Sequence, residues 1–134
     1  EALRALLTIS PDGHMAFVRE HLDSPDESTA EAAALAMGNA RLPQALGPLL
    51  GRFRSARTTT LRDMILLSVA MLRASAAIDA LLDLAASDSD ADALAALRAL
   101  KVHKHDPRLV ERLAAVVAGS ESPAVRDRFA RDFR

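Results

Sequence analysis

"AMGNARLPQALGPLL", residues 36–50, closes one apolar helix with small residues, breaks the chain with a polar stretch and a proline, and at once opens another. In this reading "AMG" ends a helix A at a point of close packing. "NARLP" turns the chain, and "QALGPLL" returns against it as helix B. Pro43 suits a first helical turn, where its missing N–H would have had no partner. Gly47 and Pro48 are poor residues so near a helix start, which predicts a bent or delayed beginning.

The pattern recurs. Sliding the sequence against itself gives a period of 32 residues, and turn-forming stretches keep that spacing: "DSPDES" (23–28), "SARTTT" (55–60), "SDSDAD" (87–92) and "GSESPA" (119–124). The apolar positions keep the same offset. Leu46, Ile78 and Val110 correspond, as do Leu49, Leu81 and Leu113, and Leu61 corresponds to Ala93 and Val125. Each unit holds two segments with helical apolar spacing, divided by a shorter break such as "NARLP" (39–43), "RASA" (73–76) or "KHDP" (104–107). Helices are expected at about 1–9, 13–22, 26–38, 43–54, 58–73, 76–86, 90–101, 107–118 and 123–133. Ser24 with Pro25 and Glu27 reads as a capping box, and Ser122 and Asp106, each before a proline, as N-caps.

Composition narrows the class. The 134 residues suffice for one domain, and the apolar half is mostly alanine (28) and leucine (21), with no Trp or Tyr. Such residues favour closely packed helices over a sheet of β-branched and aromatic side chains. The net charge of −1 supplies no field for nucleic acid or an anionic membrane. Absence of cysteine excludes disulfides and thiolate chemistry and fits the cytoplasm. The longest apolar run, Met64–Leu72, is far short of the roughly 20 residues that span a bilayer. The opening "EALRALLTIS" starts already in helical phase, as if cut from a longer chain. Fifteen Arg against two Lys fits a bacterial protein of GC-rich coding.

A single hairpin cannot bury its apolar stripe, whereas stacked hairpins share one core. The expected fold is therefore all-α, a right-handed α-solenoid of about four hairpins plus a terminal helix. It forms one domain over 1–134, with units at about 1–23, 24–55, 56–87, 88–119 and a partial 120–134.

The chain resembles the HEAT-like repeats of bacterial proteins, the type also found in phycobilisome lyases. Ala36, Met37, Gly38, Pro43, Ala45, Leu46, Leu49 and Leu50 carry the likeness, as does Asp106-Pro107 in "ALRALKVHKHDPRLVERL" (96–113), with Lys101 in place of the glycine. "SPAVRDRFA" (122–130) looks like the family's opening of helix A through Val125-Arg126, and Leu61-Arg62 is its counterpart. The third unit has "VAMLRASA" in place of Gly and Asp-Pro. The resemblance implies a binding surface lined by B helices and leaves its partner open.

On those helices the polar rungs read Gln44, Ala76, Arg108 and then Gly47, Asp79, Glu111, with Asp83 and Arg112 a turn further along. Asp79, Asp83 and Glu111 are suited to accept from the Arg or Lys of a partner segment. The plain alternative is a row of ordinary solvated charges. "GRFRSARTTTLR" (51–62) gathers Arg52, Arg54, Arg57 and Arg62 around one turn, a candidate basic patch for phosphate, with Phe53 read as core. Nucleic acid ranks last, because no Trp or Tyr is present to stack on bases. "HKHD" (103–106) reads as a turn rather than a metal site, since two His at i, i+2 lack helical ligand spacing. His14 and His21 meet no nucleophile in the pattern.

The closing "AVRDRFARDFR" pairs Phe129 with Phe133, with Arg126, Arg128, Asp132 and Arg134 expected to face water. Together with the first helix (Leu3, Leu6, Leu7) it offers ends for self-association. The expected function is a non-enzymatic scaffold binding a protein or peptide, without cofactor or metal. A regulatory domain of a longer chain and a lyase-like chromophore handler are the alternatives.

Overall fold

The computed structural model describes residues 11–134, with side chains from Met15 onward. Eight α-helices follow in order: α1 (Pro11–Leu22), α2 (Glu27–Ala40), α3 (Leu46–Ser55), α4 (Thr59–Leu72), α5 (Ser75–Ala85), α6 (Asp90–Leu100), α7 (Pro107–Ala118) and α8 (Pro123–Phe133). Short 3-10 turns, Pro43–Ala45 and Lys101–His103, precede α3 and follow α6. Among the described residues 81% are helical and none is in a strand, so the core is made by helix against helix. The expected helix at 1–9, with Leu3, Leu6 and Leu7, lies outside the described residues, as does the side chain of His14.

The local signals explain most boundaries. Asp106 caps α7, accepting from the N–H groups of Arg108 and Leu109, and Ser122 caps α8, accepting from Val125; a proline follows each in the first turn. The delayed start at Gly47 and Pro48 is present: residues 43–45 form a 3-10 turn, and the α-helix begins only at Leu46. Pro48 has no N–H for the carbonyl of Gln44, and the tighter turn avoids demanding one.

One expected cap is corrected. Asp26, not Ser24, is the N-cap of α2, and no capping box forms. Ser24 instead accepts from the Asp26 N–H at 3.1 Å, while Glu27 accepts from the Thr58 hydroxyl at 2.8 Å. The Ser24 hydroxyl closes a local turn, and tertiary contact takes the glutamate away from its own backbone.

The chain divides into two compact units, Glu1–Ala77 and Ile78–Arg134, with the boundary inside α5. In the first, α2 packs against α1 and α4, and α3 packs against α4 and α1. Its core holds Val18, Leu22, Ala33, Met37, Leu49, Phe53, Ile65 and Val69. In the second, α8 packs against α6 and α7 around Leu97, Leu113, Val117, Val125 and Phe129.

Burial follows the 32-residue offset. Leu49, Leu81 and Leu113 are each 0% exposed; Ala45, Ala77 and Leu109 are buried, as are Phe53, Ala85 and Val117, and Leu61, Ala93 and Val125. Leu46, Ile78 and Val110 are all half-buried. At these positions residues 32 apart in sequence have the same burial, and it is these positions that make the sequence period visible.

Two contacts, one hydrogen bond and one close backbone approach, set the direction of α2 and α4. At their starts Thr58, the N-cap of α4, donates to Glu27 in the first turn of α2. Near their ends a Cβ built on Gly38 would stand 2.9 Å from the Cα of Ser68. The helices are thus parallel neighbours, and the close packing expected of "AMG" rests on the glycine. Ser68 is fully buried and turns its hydroxyl onto its own helix, donating to the Met64 carbonyl at 2.9 Å.

Candidate interaction surfaces

Five of the six residues expected to form a groove lie in the second unit, on α5 and α7. Asp79, Asp83, Arg108, Glu111 and Arg112 are all exposed. Only Asp79 and Arg112 among them are joined, by a 2.8 Å hydrogen-bonded ion pair with both side chains more than half exposed. The pair links α5 to α7 across 33 residues, one more than the period, so Asp79 meets Arg112 and not its counterpart Glu111, and its contribution to stability is small at this exposure. Gln44 is exposed in the 3-10 turn of the first unit.

The four arginines of residues 51–62 have different surroundings. Arg52 donates through Nε to the Leu22 carbonyl at 2.9 Å, through Nη2 to the Ser24 carbonyl at 3.3 Å and through Nη1 to the Ser55 hydroxyl at 2.9 Å. Its fork closes the open carbonyls at the end of α1, a structural task for a planar guanidinium. Arg62 lies over the ring of Phe53, 4.1 Å from its centre. Phe53 is core, as expected. Arg54 and Arg57 are exposed.

At the end of the chain the expectation for Asp132 is corrected. Its side chain is only 7% exposed and accepts from Arg128 Nε at 2.7 Å, with Lys101 Nζ at 3.6 Å. It fastens α8 to the end of α6. Burial alone would raise the Asp132 pKa, but the hydrogen bond and charge of Arg128, aided by Lys101, outweigh it and hold the carboxyl below its ordinary value. Phe129 and Phe133 stack with centres 5.4 Å apart, and Arg134 covers the Phe129 ring at 5.2 Å. Arg126 donates to the Ser120 carbonyl.

The surface of the second unit carries hollows. An open cleft of about 610 Å³ lies between the turns at 86–90 and 119–122 and carries Asp88, Asp90 and Glu121. A shallower groove of about 190 Å³ runs between α7 and α8 over Val117, Phe129 and Ala130, edged by Arg126 and Arg134. In the first unit His21 Nδ1 lies 2.9 Å from the Phe17 carbonyl and its ring 4.5 Å from that of Phe17. His103 sits in the 3-10 turn and Asp106 caps α7, so "HKHD" forms a turn. Among the described residues no group of three or more His, Asp or Glu is placed to hold a metal ion, and no helix is long and apolar enough to cross a membrane.

The sequence reading missed two residues. Arg41 and Arg73, one period apart, have left-handed backbone at φ 54° and 58°. Gly38, expected to end its helix, stands inside α2, which runs on to Ala40, and no glycine follows either A helix to take the left-handed position.

No family model matches the chain, and neither a curated protein nor a solved structure does.

Proposed function

We propose that the chain is a non-enzymatic interaction module, a right-handed α-solenoid of HEAT-like repeats that offers the α5/α7 face to a protein or peptide partner in the cytoplasm. The observation that carries the reading is the exposed set Asp79, Asp83, Arg108, Glu111 and Arg112 on two helices one repeat apart. Buried positions on these helices are apolar, so each helix turns its charged side to solvent without core duties. Support for the solenoid comes from burial that repeats at the sequence period. The acidic side chains suit a partner segment bearing Arg or Lys, and the Asp79–Arg112 pair is exposed enough to exchange partners at low cost.

The test is affinity capture with cross-linking from a native-type extract, using the wild-type chain and an Asp83→Arg, Glu111→Arg variant whose helicity is checked by circular dichroism. A protein captured by the wild type and lost with the variant places binding on this face. Equal capture by both removes the face from consideration.

A further inference from the structure

Among the described residues Arg41 and Arg73 are the two that hold a left-handed backbone, and each ends an A helix. The Arg41 N–H bonds to the Gly38 carbonyl, and the Arg73 N–H to that of Ala70. Glycine takes this cap without a steric penalty, whereas a side chain there is strained. Two successive repeats therefore carry arginine where glycine would give the more stable helix end. Such strain points to a use for the side chain.

The fold brings the two ends together. Because α2 and α4 run parallel, joined at their starts by Thr58 and Glu27 and near their ends by Gly38 and Ser68, both arginines emerge at one edge of the first unit. Both are exposed. Residues 39–45 and 71–77 contain no Asp or Glu, and neither guanidinium has a hydrogen-bond or ion-pair partner among the described residues. The next repeat is built differently. There α6 leaves through a 3-10 turn without left-handed backbone, Lys101 is engaged by Asp132, and Asp106 brings a carboxylate into the turn.

We propose that Arg41 and Arg73 form a two-point anchor for an acidic peptide segment of a partner protein, each guanidinium fork taking a carboxylate. The planar fork matches a carboxylate with two parallel hydrogen bonds, which adds direction to charge attraction. A nucleic-acid strand fits less well: residues 39–45 and 71–77 hold no aromatic side chain for stacking, and two cations neutralise little of a phosphate backbone. The anchor uses residues of the first unit and the α5/α7 proposal residues of the second, and the two tests change different side chains, so either proposal stands or falls alone.

The test measures fluorescence anisotropy of a labelled decaglutamate peptide, with decaglutamine as control, on the full 134-residue chain. Wild type is compared with the double variants Arg41→Gly/Arg73→Gly and Arg41→Lys/Arg73→Lys, and thermal midpoints are recorded alongside. The anchor requires binding of decaglutamate but not decaglutamine, weakened about tenfold in the glycine variant while its thermal midpoint holds or rises. The lysine variant, which keeps the charge at the helix ends but not the fork, binds less tightly than wild type. Equal binding by wild type and glycine variant, or none by wild type at millimolar peptide, overturns the proposal. Tighter binding of an oligothymidylate than of decaglutamate replaces it with a nucleic-acid site.

Discussion

Glycines in this chain have opposite meanings according to what a methyl group would meet. At Gly38 an added Cβ reaches the Ser68 backbone, with Cα at 2.9 Å and the carbonyl oxygen at 3.1 Å, and backbone cannot turn aside as a flexible side chain would. At Gly51, exposed within α3, nothing lies within 4 Å. Gly38→Ala is therefore expected to lose about 1–2 kcal/mol, the overpacking of α2 against α4 exceeding the gain in helix propensity. Gly51→Ala is expected to gain about 0.5–1 kcal/mol. Urea unfolding of both variants checks the pair; equal effects would mean that Gly38 does not mediate the contact of α2 with α4. The sequence shows both glycines in apolar helices, and only the neighbouring backbone separates them.

At the scale of the element, α8 shows how one buried carboxylate can set the strength of a helix attachment. Asp132 has a folded-state pKa below its unfolded value of about 3.9. Its stabilisation is therefore present above that unfolded value and is lost as pH falls from about 4 through the lower folded value. Asp132→Asn is expected to lower the thermal midpoint at pH 7, by about 1 kcal/mol in stability, since the amide oxygen can still accept from Arg128 but the carboxylate charge facing Arg128 and Lys101 is lost. The difference from wild type should shrink as the pH is taken below about 4. A gap that stays constant down to pH 2 would assign the effect to packing and not to the charge. The helix pattern of "AVRDRFARDFR" shows the Phe129 and Phe133 face, but not that Lys101, about one period away in sequence, comes up to Asp132. Arg52 is a similar case: charge in a turn suggested ligand binding, whereas its fork is taken up by carbonyls at the end of α1.

For the whole molecule, the repeat makes a quantitative demand. Leu49, Leu81 and Leu113 occupy one position in three helices and are all fully buried, while Leu46, Ile78 and Val110 are half-buried in all three. Alanine at each of the first three should cost about 2–5 kcal/mol, and at each of the second three distinctly less. Chemical denaturation of the six variants decides this. If costs within either set scatter as widely as those between sets, the period describes the sequence alone and not its energetics.

What the sequence determined by itself is the local and periodic part: helical class, the eight described helices within a few residues of their expected ends, the late start of α3, and the caps at Asp106 and Ser122. These follow from apolar spacing, proline and short polar side chains acting within a turn or two, so residues near in sequence suffice. Only the tertiary structure decided where Glu27, Arg52, Asp132 and the Arg41–Arg73 edge would lie. A charged side chain takes its partner from whatever helix packs beside it, and that neighbour lies about a repeat away along the chain. Its identity is settled by packing of small against small, as at Gly38 and Ser68, rather than by any local pattern around the charge itself.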